Sequence, residues 1–376
     1  MIFPLSLFTR ALYRGIAKPI FFRFDPEKVH NQVSKVGEWL GSDKRRRALT
    51  RKLWNYDSPK LSQTLSGITF NNPVGFAAGF DYDGHVAAIL PAVGFGFNTV
   101  GTVTYHAYEG NPGLRLGRLP RSQSLLVNKG FKSEGAGKIR LRLRLSDFEN
   151  AIIGISIGSS NVLKIDTLSK AINDYCAGFE VFRNESYLTY FELNISCPNT
   201  KLGDGFSLPK NFLPLIKSVQ NLQLQKPIFV KMPNEKPLDI QEALVKIGIE
   251  HGISGFIFSN LVKDRNNPVL NRGEVSKVKG YQGNFSGKPT FENSNRTIAH
   301  IYNKFGRNTI IVGCGGIFNA RDAYTKIKLG ASLVQLITGM IFEGPQLAGQ
   351  INYGLAQLLK RDGYQNISEA IGQGSG

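Results

Sequence analysis

Short apolar runs recur along the chain from about residue 60 onward, and stretches long enough for helices separate them. Most runs are continuous rather than alternating, which is typical of parallel strands buried on both faces. They predict eight strands, at residues 73–80, 97–103, 151–157, 190–195, 227–232, 255–258, 309–312 and 332–337. Helical patterns fall between them, for example at 240–249 and 320–329. Eight strand–helix steps in one chain predict an α/β fold of the (β/α)8 TIM barrel type.

Two further patterns bear on this architecture. The segment 61–70 alternates around Ser66-Gly67, which predicts a small hairpin that closes the floor of the barrel. A doubly wound open sheet is the alternative fold, but no Gly-x-Gly-x-x-Gly pattern opens the first helix. The closed barrel is therefore the preferred prediction.

The first 24 residues are apolar and contain no acidic residue, but four basic residues interrupt them: Arg10, Arg14, Lys18 and Arg23. No charge-free run approaches the ~20 residues that a membrane span needs. On a helix, Phe8, Leu12 and Ile16 share one face, while Arg10, Arg14 and Lys18 share another. The pattern predicts a membrane-associating helix that lies in the bilayer interface. Two alternatives remain open, namely a helix packed on the protein's own body and an Arg-rich mitochondrial targeting segment.

A second helix is predicted over residues 26–40, after the start signal Asp25-Pro26. The basic cluster 44–47 follows and is able to meet either phosphate head groups or water. We therefore predict three units: an N-terminal helical extension (1–56) for membrane contact, a barrel (57–364) and a C-terminal tail (365–376).

Composition and charge narrow the function classes. The 376 residues carry a formal net charge of +18, which suits a basic solvated surface or attraction to anionic lipid. We find neither zinc-ligand spacing nor an aromatic RNA-binding signature, so neither a metal site nor a nucleic-acid partner is predicted. The cysteines Cys176, Cys197 and Cys314 are too few and too scattered for a disulfide framework, which favours a reducing compartment.

The segment 194–200, Asn-Ile-Ser-Cys-Pro-Asn-Thr, is the strongest candidate for chemistry. It follows an apolar run that predicts a buried strand, and it places a thiol between two amide side chains. We predict that Cys197 acts as a base or nucleophile and that Asn194 and Asn199 hold a flat polar ring. A thiol with an ordinary pKa near ~8.5 is partly ionised at neutral pH without a helper. The alternative is an ordinary Pro-Asn turn after a strand.

The carboxyl ends of barrel strands supply the remaining candidates, because active sites of this fold lie there. Glycine-rich loops after the seventh and eighth strands, at 313–316 and 338–339, predict a phosphate site, and Gly287 adds a further backbone donor. Lys231 ends the fifth strand, and a buried lysine needs a partner. A flavin that gains negative charge on reduction is one such partner, and a lysine that extends to the barrel rim is the alternative.

Several ordered motifs together resemble the dihydroorotate dehydrogenase family, and its membrane-associated, quinone-using class 2 branch most of all. They lie at residues 25–30, 72–81, 94–96, 101–104, 111–113, 194–200, 286–289 and 330–335. The likeness spans about residues 24–344. The N-terminal extension is what favours class 2, whose members use it to bind membrane and admit a quinone.

The resemblance implies a barrel that carries non-covalent FMN and works in pyrimidine biosynthesis. A base removes a proton from C5 of dihydroorotate while C6 passes hydride to flavin N5, and a quinone then accepts the electrons. The implied location is peripheral, on the cytoplasmic face of a bacterial inner membrane or, alternatively, on a mitochondrial inner membrane. An anionic membrane surface is the expected partner.

Residue roles follow by position from the same resemblance. The catalytic residues are Cys197, as the base, and Lys231. The residues that line FMN are Ala78, Gly79, Thr102, Ser156, Asn194, Lys231, Ser259, Gly287, Gly315, Gly316, Ile337 and Thr338. The residues that hold the substrate are Tyr82, Asn128, Gly130, Phe131, Asn194, Asn199 and Asn260.

The chain departs from the family pattern near the substrate. Tyr82 stands where family members carry a lysine that pairs with the orotate carboxylate, and a phenol brings no positive charge. The base is a cysteine, whereas class 2 members usually have serine. A family asparagine falls on Val127, and only a one-residue shift lets Asn128 replace it. These differences leave two alternatives: a divergent FMN oxidoreductase that acts on a different ring, or a non-catalytic flavin-binding paralogue.

Overall fold

A computed structural model describes residues 2–202 and 205–374 of the protein. Residue 1 of the predicted extension and residues 375–376 of the predicted tail lie outside this range. The strands are β1 (Gln63–Leu65), β2 (Ile68–Phe70), β3 (Val74–Phe76), β4 (Phe97–Val103), β5 (Leu116–Leu119), β6 (Ser124–Val127), β7 (Ile153–Ile157), β8 (Leu188–Asn194), β9 (Ile228–Lys231), β10 (Gly255–Phe258), β11 (Asn284–Phe285), β12 (Ile310–Cys314) and β13 (Leu333–Leu336).

The helices alternate with these strands over most of the chain. They are α1 (Ile2–Leu12), α2 (Lys18–Phe21), α3 (Pro26–Gly41), α4 (Lys44–Trp54), α5 (Leu90–Val93), α6 (Ala136–Arg144), α7 (Leu168–Phe182), α8 (Pro209–Gln220), α9 (Leu238–Glu250), α10 (Arg272–Lys277), α11 (Phe291–Phe305), α12 (Ala320–Lys328), α13 (Thr338–Glu343), α14 (Leu347–Asp362) and α15 (Ile367–Ala370). A π-helical turn, Tyr13–Ala17, joins α1 to α2.

Within the described residues, eight parallel strands close into a barrel in the order β10-β12-β13-β3-β4-β7-β8-β9. Each of these strands overlaps one of the eight apolar runs, so the barrel prediction is confirmed and the open-sheet alternative is wrong. The runs are continuous because both faces are buried: all five residues of β7 are buried, and so are all seven of β4. Parallel pairing places the carboxyl ends of all these strands at one end of the barrel.

The opposite end of the barrel is closed by the predicted hairpin. Strands β1 and β2 pair antiparallel, with Leu65 opposite Ile68. The ring of Phe70 packs edge-on against Phe97 at the start of β4, with 5.2 Å between ring centroids. Apolar packing therefore seals the floor and leaves the carboxyl end as the open one.

The N-terminal helices are bound to the barrel along one side. Asp25 caps α3 by accepting a hydrogen bond from the backbone N–H of Lys28, as the Asp-Pro start signal predicts. Arg10 of α1 donates to the buried carboxylate of Glu343 at 2.6 Å, and Tyr13 donates to the carbonyl of Ile341 at 2.7 Å. The extension is therefore packed on the body of the protein along this side.

Another face of the same segment leaves large apolar side chains exposed. Phe8 is 67% exposed, Ile16 is 56% exposed and Phe24 is 60% exposed. No helix within the described residues is both long and apolar enough to cross a membrane. The predicted face with Phe8, Leu12 and Ile16 thus exists as an open apolar surface.

The C-terminal segment packs on the barrel as far as it is described. Asn366 caps α15 through the backbone N–H of Ser368, and Ile367 and Ala370 are fully buried. The Tyr302 hydroxyl donates to the carbonyl of Ile371 at 3.3 Å. The three unit boundaries predicted from the sequence remain predictions.

Candidate functional site

The carboxyl ends of the strands surround an open space of about 910 Å3, which we call the mouth cavity. The predicted site residues that line it are Ala78, Gly79, Tyr82, Thr102, Gly130, Phe131, Asn194, Cys197, Asn199, Lys231, Asn260, Ile337 and Thr338. They come from segments that are far apart in the chain. Because parallel strands bring their ends together, the barrel gathers these groups on one cavity.

Cys197 follows the end of β8, is half-buried and lines the mouth cavity. Burial raises the pKa of its thiol to about 12, although a backbone hydrogen bond at Asn199 acts in the opposite direction. The thiol is therefore neutral at pH 7 in this environment. The sequence-based expectation of a partly ionised thiol is wrong, because it took the ordinary pKa and ignored the desolvation that the fold imposes.

The amide side chains around Cys197 are held by hydrogen bonds. Asn194 donates from Nδ2 to Thr102 Oγ1 at 2.9 Å, and its backbone carbonyl accepts from the Tyr175 hydroxyl at 2.7 Å. Asn199 donates from Nδ2 to the carbonyl of Val127 at 3.0 Å. Fixed amides of this kind present both donors and acceptors to a flat polar ring at little entropic cost.

A second recess of about 530 Å3 continues from the mouth cavity, with which it shares Ala78, Lys231, Asn260, Leu261, Ser286, Ile337 and Thr338. We call it the glycine recess, because Gly287, Gly315, Gly316 and Gly339 line it together with Ser259, Thr290 and Cys314. Of the loops predicted for the phosphate site, residues 314–316 and 338–339 line this recess, whereas Gly313 does not.

Glycine is required in the wall of this recess. Gly315 has φ +104°, and a Cβ there would lie 2.3 Å from Thr290 Oγ1. Gly316 has φ +72°. Within residues 2–202 and 205–374, the backbone N–H groups of Gly315 and Gly316 find no hydrogen-bond acceptor. Unpaired N–H groups on a glycine backbone form a site for an anion such as a phosphate.

Lys231 at the end of β9 lines both the mouth cavity and the glycine recess and is 5% exposed. In the described part of the chain, its ammonium group has no hydrogen bond and no ion pair. A buried ammonium without a counter-charge is costly, so this position fits an anionic or electron-rich ligand. The unpaired cation and the unpaired glycine N–H groups together fit a flavin with a phosphate tail.

Two predicted residues line neither space. Ser156 is fully buried, and its hydroxyl lies 3.0 Å from Thr102 Oγ1 inside the barrel. Asn128 is also buried, and its Oδ1 accepts a hydrogen bond from Asn111 at 2.8 Å. The neighbouring Val127 lines the mouth cavity instead.

The structure adds residues that the sequence analysis did not assign, above all Lys129 and His30, both of which line the mouth cavity. The Lys129 ammonium lies 4.9 Å from the centre of the Tyr82 ring. It forms an ion pair of 2.6 Å with Glu27 of α3. Lys129 directly precedes Gly130, which was predicted to hold the substrate. Its position in the sequence could therefore have identified it as a candidate site residue.

A third space of about 870 Å3 lies under the N-terminal helices, and we call it the apolar tunnel. Its walls are Tyr13, Phe21, Phe22, Pro26, Val29, His30, Val33, Phe80, Leu116, Arg118, Leu125, Met340, Ile341 and Pro345. The Arg118 guanidinium donates to the carbonyls of Phe21 and Phe24 and lies 4.8 Å from the centre of the Phe22 ring. Because His30 and Phe80 line both spaces, the tunnel adjoins the mouth cavity.

No group of three or more His, Cys, Asp or Glu residues is arranged to hold a metal ion among residues 2–202 and 205–374.

Comparison with known proteins gives consistent matches. The family described as "Dihydroorotate dehydrogenase" matches residues 60–359. A relative from Acaryochloris marina, described as dihydroorotate dehydrogenase (quinone), is 34% identical in an alignment that covers 96% of this chain and 99% of that protein. A relative of the same description from Nostoc punctiforme is 36% identical in an alignment that covers 96% of this chain and 98% of that protein.

A solved structure is similar over most of the chain as well. The crystal structure of DHODH from Eimeria tenella in complex with ferulenol superposes with a TM-score of 0.81 at 27% identity. The match covers 93% of this chain and 95% of that one.

Proposed function

This chain belongs to the dihydroorotate dehydrogenase family, and from that premise we propose that it oxidises dihydroorotate to orotate with bound FMN and a quinone as electron acceptor. The supporting observation is that Cys197, Asn199 and Lys231 line one cavity that continues into a recess of unpaired glycine N–H groups. A flat ring fits the cavity with the thiol, the amide and the lysine, and a phosphate tail attached to a ring fits the adjoining recess with the glycine N–H groups.

The glycine recess would hold the cofactor. Gly315 and Gly316 would donate backbone N–H groups to its phosphate, and Lys231 would place a positive charge beside its ring system. When bound, FMN supplies the two-electron acceptor that the oxidation of a carbon–carbon single bond requires. The protein supplies position and charge.

Cys197 is the base of the reaction. As the thiolate, its sulfur would accept the proton from C5 of dihydroorotate. The hydrogen on C6 would pass with its bonding electrons to the two-electron acceptor that FMN would supply, and the ring would gain a C5–C6 double bond. Asn194, Asn199 and Asn260 hold the ring edge through hydrogen bonds. Because burial keeps the thiol neutral, Cys197 must first release its own proton to solvent at the open end of the barrel before its sulfur can act as a base.

The apolar tunnel is the route of the quinone. A quinone is a flat apolar ring whose carbonyl oxygens accept hydrogen bonds, and aromatic and aliphatic walls suit such a ring. Arg118 is a guanidinium donor within these walls, and burial lowers its pKa. The tunnel adjoins the mouth cavity at His30 and Phe80, so electrons have a short path between the two sites.

The extension places the protein peripherally on a membrane. The exposed side chains of Phe8, Ile16 and Phe24 enter the bilayer interface, and the basic residues beside them meet anionic lipid. The cytoplasmic face of a bacterial inner membrane is the proposed location, with a mitochondrial inner membrane as the alternative. Deletion of residues 1–24 should release the protein from anionic vesicles without loss of flavin, as a sedimentation assay would show.

The test of the catalytic proposal is an anaerobic titration of the flavin-loaded protein. Dihydroorotate should bleach the flavin absorbance, and a soluble quinone should restore it. The presence of Tyr82 in place of the family lysine favours one alternative function, a flavin oxidoreductase that acts on a different ring substrate. Bleaching by a dihydropyrimidine without a carboxylate, and not by dihydroorotate, would establish that alternative function.

A further inference from the structure

The carboxylate of dihydroorotate needs a positive charge in the mouth cavity, and Tyr82 does not supply one. Burial raises the pKa of the Tyr82 phenol above its ordinary value, so the residue stays neutral at physiological pH. An unpaired carboxylate in a buried site is strongly disfavoured. A substrate of this charge therefore requires a cation elsewhere on the cavity wall.

We propose that Lys129 is the residue that binds the substrate carboxylate in this protein. This inference rests on the proposed function and identifies how the same site recognises the charge of its substrate. The cation would then come from the loop after β6 instead of the loop after β3, and both loops line the same cavity.

The position of Lys129 supports this assignment. It lines the mouth cavity together with Cys197 and Asn199, and it is 7% exposed. Its ammonium lies 4.9 Å from the centre of the Tyr82 ring, so it occupies the space beside the position that has lost its lysine. A desolvated ammonium attracts a carboxylate more strongly than one in water does, because the local dielectric constant is lower.

Glu27 holds Lys129 when no substrate is present, and it is able to release it. Glu27 Oε1 pairs with Lys129 at 2.6 Å, while Oε2 accepts from Arg115 Nε at 2.8 Å. If Lys129 turns to a substrate carboxylate, Glu27 therefore keeps a positive partner and is not left as an unpaired charge. Lys129 would exchange the carboxylate of Glu27 for the carboxylate of the substrate.

Two other lysines line the mouth cavity and must be distinguished from Lys129. Lys231 also lines the glycine recess, where its charge faces the proposed cofactor. Lys132 lines the mouth cavity but is only half-buried, so water screens its charge more than that of Lys129. Lys129 is also the lysine that contacts the Tyr82 ring.

The test is calorimetric titration of the FMN-loaded protein with orotate and with its neutral carboxamide. Wild type should bind orotate more tightly than the amide. Lys129→Met should lower the affinity for orotate about 10- to 100-fold, the loss expected for one charge-assisted contact, and leave the affinity for the amide unchanged. Lys138→Met is the control, because Lys138 is exposed, pairs with Glu134 and lies outside the cavity.

Three results would overturn the assignment. The first is that Lys129→Met binds orotate as wild type does. The second is that Lys129→Met loses affinity for orotate and for the amide equally. The third is that Lys132→Met abolishes the preference for orotate while Lys129→Met keeps it. If wild type with bound flavin does not bind orotate at all, the proposed function falls together with this inference. If wild type binds and Lys129→Met is unaffected, only the inference falls.

A position swap provides a second test should Lys129→Met fail to fold or to retain flavin. The double variant Tyr82→Lys, Lys129→Tyr returns the cation to the loop after β3 and keeps both side chains. Restored preference for orotate over its amide supports the proposal. Equal affinity of the double variant for the two ligands contradicts it.

Discussion

The mouth cavity and the apolar tunnel are similar in size, about 910 Å3 and about 870 Å3, but opposite in chemistry. The mouth cavity collects amides, a thiol and three lysines from strand ends and loops. The tunnel is walled mainly by aromatic and aliphatic side chains from the N-terminal helices and α13. The two spaces share the residues His30, Phe80, Leu116, Leu125 and Ile341.

Under the proposed function, this difference in chemistry keeps the two half-reactions apart. Fixed polar groups suit a charged, hydrogen-bonding ring whose atoms must be placed for proton removal. Apolar walls suit a lipid-soluble ring that comes from the bilayer. A change in one space should therefore alter one half-reaction and spare the other, and the predictions below test this separation.

The largest effect is expected from Cys197→Ala in the mouth cavity. Loss of the base should slow flavin reduction by dihydroorotate about 100- to 10,000-fold, since general-base catalysis contributes on that scale. Flavin should stay bound, because the glycine recess is untouched. Stopped-flow absorbance measures both half-reactions. A parallel fall in the rate at which quinone reoxidises the reduced variant would contradict the separation.

The pH dependence of the same step should also be steep. Because burial raises the pKa of the Cys197 thiol to about 12, the thiolate fraction increases with pH throughout the accessible range. The rate of anaerobic flavin reduction should rise roughly tenfold per pH unit between about pH 6 and about pH 9. Quinone reoxidation should lack this slope. A plateau near neutral pH would show that the thiol is not the titrating base.

Obstruction of the tunnel should give the converse result. Val29→Trp on α3 adds bulk to the tunnel wall and should lower kcat/KM for quinone about 10- to 100-fold by excluding the ring. Flavin reduction by dihydroorotate should be unchanged. Val36→Trp is the matched control, because Val36 lies on the same helix, is 56% exposed and does not line the tunnel. An equal fall in kcat/KM for quinone in both variants would contradict the proposal that the quinone uses the tunnel.

The smallest effect is expected from Glu343→Gln. This change breaks the ion pairs of the buried carboxylate with Arg10 at 2.6 Å and Arg14 at 3.6 Å, which bind α1 and the π-helical turn to α13. Because the arginines are partly exposed, the free energy of unfolding should fall by only about 1 kcal/mol in a denaturant titration. The KM for quinone should rise slightly, with flavin reduction unaltered. If the free energy of unfolding fell by several kcal/mol, these ion pairs would stabilise the protein more than the partial exposure of the arginines indicates.

Much of the mouth cavity was predictable because its residues follow apolar runs. Continuous burial marks the strands, and the residue at the end of each strand is fixed once the run is recognised. Cys197, Lys231 and Gly315 were found in this way, and all three line the predicted spaces. The family resemblance was confirmed over most of the chain.

The predicted residues that do not line the cavity could not be recognised from the sequence, because the direction of their side chains depends on the fold. Ser156 lies within β7, and its hydroxyl turns to Thr102 rather than to the cavity. Asn128 and Val127 are neighbours, and backbone pairing in the sheet of β5, β6 and β11 decides which of the two faces the mouth. The raised pKa of Cys197 likewise follows from burial, which local sequence does not show.

The sequence by itself determined the order of the strands, the eight-stranded barrel and most of the residues at its open end. The reason is that continuous local apolar runs indicate strands buried on both faces. Only the tertiary structure decided the partners of those residues. Glu27 and Lys129 are 102 residues apart and form one ion pair, and the N-terminal helices cover a tunnel beside the barrel. Such contacts arise when separate loops and helices pack together, and no local periodicity encodes them.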